Sequence, residues 1–158
     1  MEAFFYYLTH KNFYSSNFSR TLITTFVAHD FPYNLMTKSI IHLDFGKVWF
    51  RENILIAELN EGILFDVDNN RQLLEIGKNF YVNKPYGYIS HRIHSYAVNP
   101  MVYLESANVE NLKAIAVVTT NDTCKKNTLL ERQFYKDANS FEVFDTLDNA
   151  FNWIQHKI

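Results

Sequence analysis

Apolar and polar positions change their spacing several times along this chain, and each change predicts an element. From Ile40 the apolar residues Ile41, Leu43 and Phe45 alternate with His42 and Asp44 and lead into Val48-Trp49-Phe50. A period of two marks a half-buried strand. After Arg51-Glu52-Asn53 comes a second run at residues 54–59, so the two read as antiparallel strands joined by the polar Glu52-Asn53 turn. Helical spacing follows: Asp66 or Asp68 can cap a helix whose Val67, Leu73, Leu74, Phe80 and Tyr81 share a face, with Lys78 and Lys84 near its far end and Pro85 barring continuation.

The rest of the chain repeats a strand–helix unit. Tyr88-Ile89 is a short strand, and the next helix opens with Asn99 as cap and Pro100 at its first position, running to about Val109. Residues 114–118 form an apolar, β-branched run of the kind buried on both faces of a sheet. Its helix opens near Asn121-Asp122-Thr123 and carries Leu129, Leu130 and Phe134. Residues 141–144 are the last strand, and Thr146 caps a final helix with Leu147, Ala150, Phe151 and Ile154 at i, i+3, i+4, i+7. The predicted order is ββαβαβαβα, an α/β fold with a mixed, mostly parallel sheet.

Residues 1–35 differ from this pattern. Ten aromatic side chains crowd a stretch with only four charged ones, and neither period holds across it. Two readings stand: an aromatic arm that packs on a partner or a second subunit, compatible with a homodimer, or an extension upstream of a start at Met36. The domain proper is expected over residues 36–158.

Composition narrows the class. A chain of 158 residues, 47% hydrophobic and 20% charged, is expected to form one globular core without disulfide or metal support. The single cysteine, Cys124, precludes an internal disulfide and fits a reducing compartment. A net charge of −2 with dispersed Lys and Arg predicts no nucleic-acid partner. The uncharged run at residues 21–29 is too short to span a bilayer, and Glu2 sits where a signal peptide would carry positive charge. The expected location is cytoplasmic, with no membrane association.

The densest polar constellation lies between the Tyr88-Ile89 strand and the Pro100 helix. Ser90, His91, Arg92, His94, Ser95, Tyr96 and Asn99 are the candidate partner- or ligand-binding residues, because loops leaving parallel strands converge on one sheet edge. Asn121, Asp122, Thr123 and Cys124 should share that edge. Arg92 can clamp a carboxylate or phosphate, or tie down a neighbouring loop. Ser90 and Ser95 are the phosphorylation candidates, Ser95 the stronger. His91 and His94 lack the spacing of metal ligands, so no metal and no cofactor is expected. Cys124 at a helix start, with His91 or His94 as base, is the weakest reading. The carboxylates Glu58, Glu61, Asp66 and Asp68 are read as helix-start and surface acids, and the four isolated glycines exclude a phosphate loop.

The element order and three stretches resemble the STAS-like domains, the fold of the bacterial anti-sigma-factor antagonists, and in particular small uncharacterised flavobacterial proteins assigned to it. The stretches are Phe45-Gly46-Lys47-Val48-Trp49-Phe50, residues 89–100, and residues 144–154. The resemblance covers about residues 36–158. It bears on the fold and says little about activity; the function expected from the residue 90–100 edge is a non-enzymatic regulatory module that binds a protein, with a carrier or sensor of an anionic or lipid-like ligand as the alternative. The departure from the family lies at the start of the helix after the third strand, where a phosphoswitch antagonist has an Asp-Ser pair and this chain has Asn99-Pro100-Met101.

Overall fold

A computed structural model describes residues 40–158; the expectations for residues 1–35 lie outside them. Within the described residues the fold is α/β, a mixed and mostly parallel six-stranded sheet with four α-helices. The strands are β1 (Ile41–Leu43), β2 (Gly46–Arg51), β3 (Ile54–Leu59), β4 (Leu64–Phe65), β5 (Tyr86–His91), β6 (Ala97–Val98), β7 (Leu112–Val118) and β8 (Phe141–Phe144). The helices are α1 (Val67–Tyr81), α2 (Met101–Ser106), α3 (Asp122–Glu131) and α4 (Leu147–Gln155), with 3-10 turns at Arg132–Phe134 and Ala138–Ser140.

The sheet order is β1-β2-β3-β5-β7-β8, with β1, β2 and β3 antiparallel neighbours and β3, β5, β7 and β8 parallel. A strand order that never reverses, combined with right-handed crossovers, places successive crossover helices on one face. Accordingly Leu73 and Tyr81 of α1 and Val102 and Tyr103 of α2 pack with Leu55, Ala57, Ile115, Val117 and Phe141. On the other face Ala150, Phe151 and Ile154 of α4 cover Ile54, Ile56, Ile89, Ala114, Ala116 and Val118. Alternate residues of β3 and β7 therefore serve opposite cores, as the continuous apolar runs require. Gly87 lets α4 close on β5, because the Ile154 side chain occupies the space a Cβ would need.

Capping follows the sequence at α1, α3 and α4, whereas α2 starts one residue later than expected, with Pro100 rather than Asn99 at the N-cap position and no side-chain cap bond from it. Asp66 Oδ1 accepts from the amides of Asp68 and Asn69 while Asn69 returns a bond to the Asp66 amide, a full capping box. Asn99 Oδ1 accepts from Met101 N at 3.1 Å, Asn121 Oδ1 from Cys124 N at 2.9 Å and Thr146 Oγ1 from Asn149 N at 3.3 Å.

Three details of the expected order change. The first predicted strand is a hairpin, β1 and β2, turning at Asp44-Phe45, with Asn60 holding the turn through its amide to Asp44 O. The α2 helix ends at Ser106 rather than near Val109. Two short strands, β4 and β6, form a separate parallel ladder that ties the chain before α1 to the chain before α2. On α1 the buried positions are Asn70, Leu73, Gly77 and Tyr81, whereas Phe80 is partly exposed and stacks on Phe50. No helix among the described residues is long and apolar enough to cross a membrane.

Candidate functional site

The C-terminal ends of β3, β5, β7 and β8 share one edge, and the polar residues singled out in the sequence do collect there. Alternation along β5 then divides them. Ser90 and Arg92 turn to the face carrying α1, α2 and α3, while His91 turns to the face carrying α4.

Arg92 is 8% exposed and is held on every side. Its Nε donates to Ser90 Oγ at 3.3 Å; Nη1 donates to Thr128 Oγ1 at 3.1 Å and Glu131 Oε1 at 3.2 Å; Nη2 donates to Tyr103 Oη at 2.9 Å and Glu131 Oε2 at 2.7 Å. A guanidinium has five N–H donors, and these acceptors account for all of them. The Tyr103 hydroxyl in turn donates to Glu131 Oε2 at 2.6 Å, and Ser90 Oγ shares a hydrogen bond with Tyr96 Oη at 3.0 Å. The Tyr96 ring lies 5.5 Å from the guanidinium. Burial alone would favour deprotonating Arg92, but Tyr103, Tyr96 and Glu131 hold it firmly charged. Burial likewise pushes Tyr103 well above the usual phenol range, so its hydroxyl remains a neutral donor.

The sequence left open whether Arg92 clamps a ligand's carboxylate or phosphate or ties a neighbouring loop to backbone carbonyls. Its guanidinium instead binds side chains of its own chain, the carboxylate being Glu131 of α3. The adjoining cavity, lined on its polar side by Tyr88, Ser90, Arg92, Tyr96 and Tyr103, measures about 20 Å³. That is room for one water molecule, not for an organic ligand. Ser90 is buried between Tyr96 and Arg92, so a modifying enzyme would have to open the core to reach it.

On the opposite face Glu58 bridges two bases across adjacent strands. Lys47 Nζ lies 2.6 Å from Oε2, and His91 Nδ1 lies 2.8 Å from Oε1. An ionised Glu58 requires the proton on Nδ1, which leaves Nε2 as the acceptor nitrogen of the neutral ring. Burial would raise the Glu58 carboxyl, but Lys47 and His91 outweigh it and hold it below the ordinary 4.5. A depressed folded-state pKa adds stability above the unfolded value and loses it as pH falls through the folded one. The stability gap between wild type and Glu58→Gln should therefore narrow below about pH 4.5 in urea titrations at successive pH values. A constant gap down to pH 3 would show that the row does not act through the Glu58 charge.

Among the described residues Cys124 is not paired with a histidine base. Its Sγ lies 3.9 Å from Arg92 Nη1, and His91 is bound to Glu58. Ile93, His94 and Ser95 are exposed, with the Ser95 carbonyl accepting from Gly62 N at 2.8 Å. Asn99 lies one residue before the Pro100 N-cap of α2 and accepts from Met101 N through Oδ1. Asp66 caps α1, Asp68 pairs with Arg71 and Glu61 is exposed. No group of three His, Cys, Asp or Glu among the described residues could hold a metal ion.

Sequence reasoning did not find Glu131, Thr128 or Tyr103. The only available signal was Thr128 and Glu131 at i+4 and i+7 from Cys124, a polar stripe on a helix that should have faced an apolar core. Compared with known proteins, the chain matches no family model, and neither the curated proteins nor the solved structures provide a match.

Proposed function

We propose that this chain is a non-enzymatic, cytoplasmic protein-interaction module of the STAS-like type, and that residues 93–95 form its recognition surface. The observation that carries the reading is the inward lock of Arg92. With all its donors engaged and Tyr96 folded beneath it, the loop base is rigid while Ile93, 56% exposed, and the side chains of His94 and Ser95 project outward. The β4–β6 ladder and the Gly62–Ser95 hydrogen bond fix the far end of the loop. A rigid loop presenting an apolar tip between polar side chains loses little conformational entropy on docking. Phosphorylation of the exposed Ser95, or protonation of His94, would change the charge of that tip and so tune binding.

Affinity capture from the native cell extract, with wild type, Ile93→Asp and Ser95→Asp compared, tests this. The expected result is a protein retained by wild type and lost with Ile93→Asp at unchanged thermal stability. Identical retention by both forms would remove the loop from consideration. A co-purifying small molecule without a protein would favour the carrier alternative.

A further inference from the structure

The α3 helix is inside out. Cys124, Thr128 and Glu131, at i, i+4 and i+7, face Arg92, whereas Leu129 and Leu130 point to solvent at 50% and 62% exposure. A helix lying on a sheet ordinarily turns its apolar stripe inward. Here the inward face must supply the carboxylate and hydroxyl that Arg92 requires, which displaces the leucines outward. They are not isolated. Phe134 follows four residues after Leu130 at 41% exposure, and on α2, joined to the end of α3 through the Tyr103–Glu131 hydrogen bond, Met101 and Leu104 are 48% and 44% exposed.

We propose that this α2–α3 face is a homodimer interface, covered by a second copy of the same chain across a two-fold axis. Area supports it. Five large side chains, each about half exposed, present on the order of 400 Å² of apolar surface, at the upper end for a monomer. A standard interface takes about 800 Å² from each partner, rather more than half of it apolar, so this patch supplies nearly the whole apolar part of one. Charge supports it as well. A two-fold contact brings a patch against itself, so its rim must not repel its own copy. The exposed charged residues between Met101 and Asp137 are Glu110, Asp122 and Asp137 against Lys113, Lys126 and Lys136, three of each sign, and the whole chain carries only −2. The neighbouring bases Lys125 and Arg132 are paired with Asp145 and Glu142. The proposed interface uses none of residues 93–95, so its variants test the dimer independently of the partner reading above.

Sedimentation velocity on the full chain across a concentration series tests the inference, with Leu130→Lys and Phe134→Glu as variants and thermal unfolding as the fold control. Wild type should sediment as a dimer, and each variant should raise the dimer dissociation constant at least tenfold. Because both positions are exposed, the fold should survive both changes. A wild type that stays monomeric to about 100 µM overturns the inference and assigns the face to a different partner, and so does a dimer that neither variant weakens.

Discussion

Glu131→Ala should destabilise the protein by about 3–5 kcal/mol in urea unfolding, the largest loss expected of any single substitution at the candidate site. The substitution deletes the acceptor for two Arg92 donors and for the Tyr103 hydroxyl at once, and leaves a guanidinium that is only 5% exposed without its counter-charge. The penalty arises from the stranded charge more than from the lost attraction. Two further variants separate these terms. Glu131→Gln keeps an acceptor and should lose less, and Arg92→Met combined with Glu131→Leu should recover most of the loss, because paired removal leaves nothing stranded. A loss below about 1 kcal/mol for Glu131→Ala would mean that water reaches Arg92 and that the pair behaves as a surface ion pair. Since α3 buries only Thr128 fully, detachment of this helix should precede global unfolding when Glu131 is removed.

Phe141→Ala should cost about 3–5 kcal/mol, while Phe134→Ala should stay within about 0.5 kcal/mol. Phe141 is fully buried at the start of β8, with its ring 5.3 Å from Tyr103 and 5.9 Å from Tyr135. Removing it opens a cavity directly beneath the tyrosine that orients Glu131, so core and site weaken together. Phe134 lies seven residues earlier in a 3-10 turn and is 41% exposed. Equal losses at the two positions, measured on the same urea scale, would contradict the burial assigned to them. Phe134→Ala should nevertheless weaken self-association, so stability and assembly separate at this position.

The candidate edge was legible as a composition but not as a geometry. Ser90, His91, Arg92, Ser95 and Tyr96 do gather where parallel strands end, as the strand–helix alternation implies. Alternation in β5 nevertheless sends His91 to the Glu58–Lys47 row and Arg92 to α3. That division depends on where the strand begins relative to its neighbours, a register that no residue in the 90–96 stretch encodes by itself. The Arg92–Glu131 pair spans 39 positions, with no local spacing rule to announce it.

Local chemistry determined the rest. Three helix starts followed from Asp66, Asn121 and Thr146, because a cap is a hydrogen bond to an amide two or three residues on and needs no distant partner. The α/β class followed from apolar periods of two and 3.6, which reflect which faces can be buried. Only the tertiary structure decided the rest: the hairpin at Asp44-Phe45, the two-residue β4–β6 ladder, and the outward turn of Leu129 and Leu130. The two-residue turn that splits β1 from β2 and the two-residue ladder strands are too short to carry a period. The orientation of α3 reverses the usual rule because a buried guanidinium, far off in sequence, gains more from the Glu131 carboxylate and the Thr128 hydroxyl than the core would gain from the leucines.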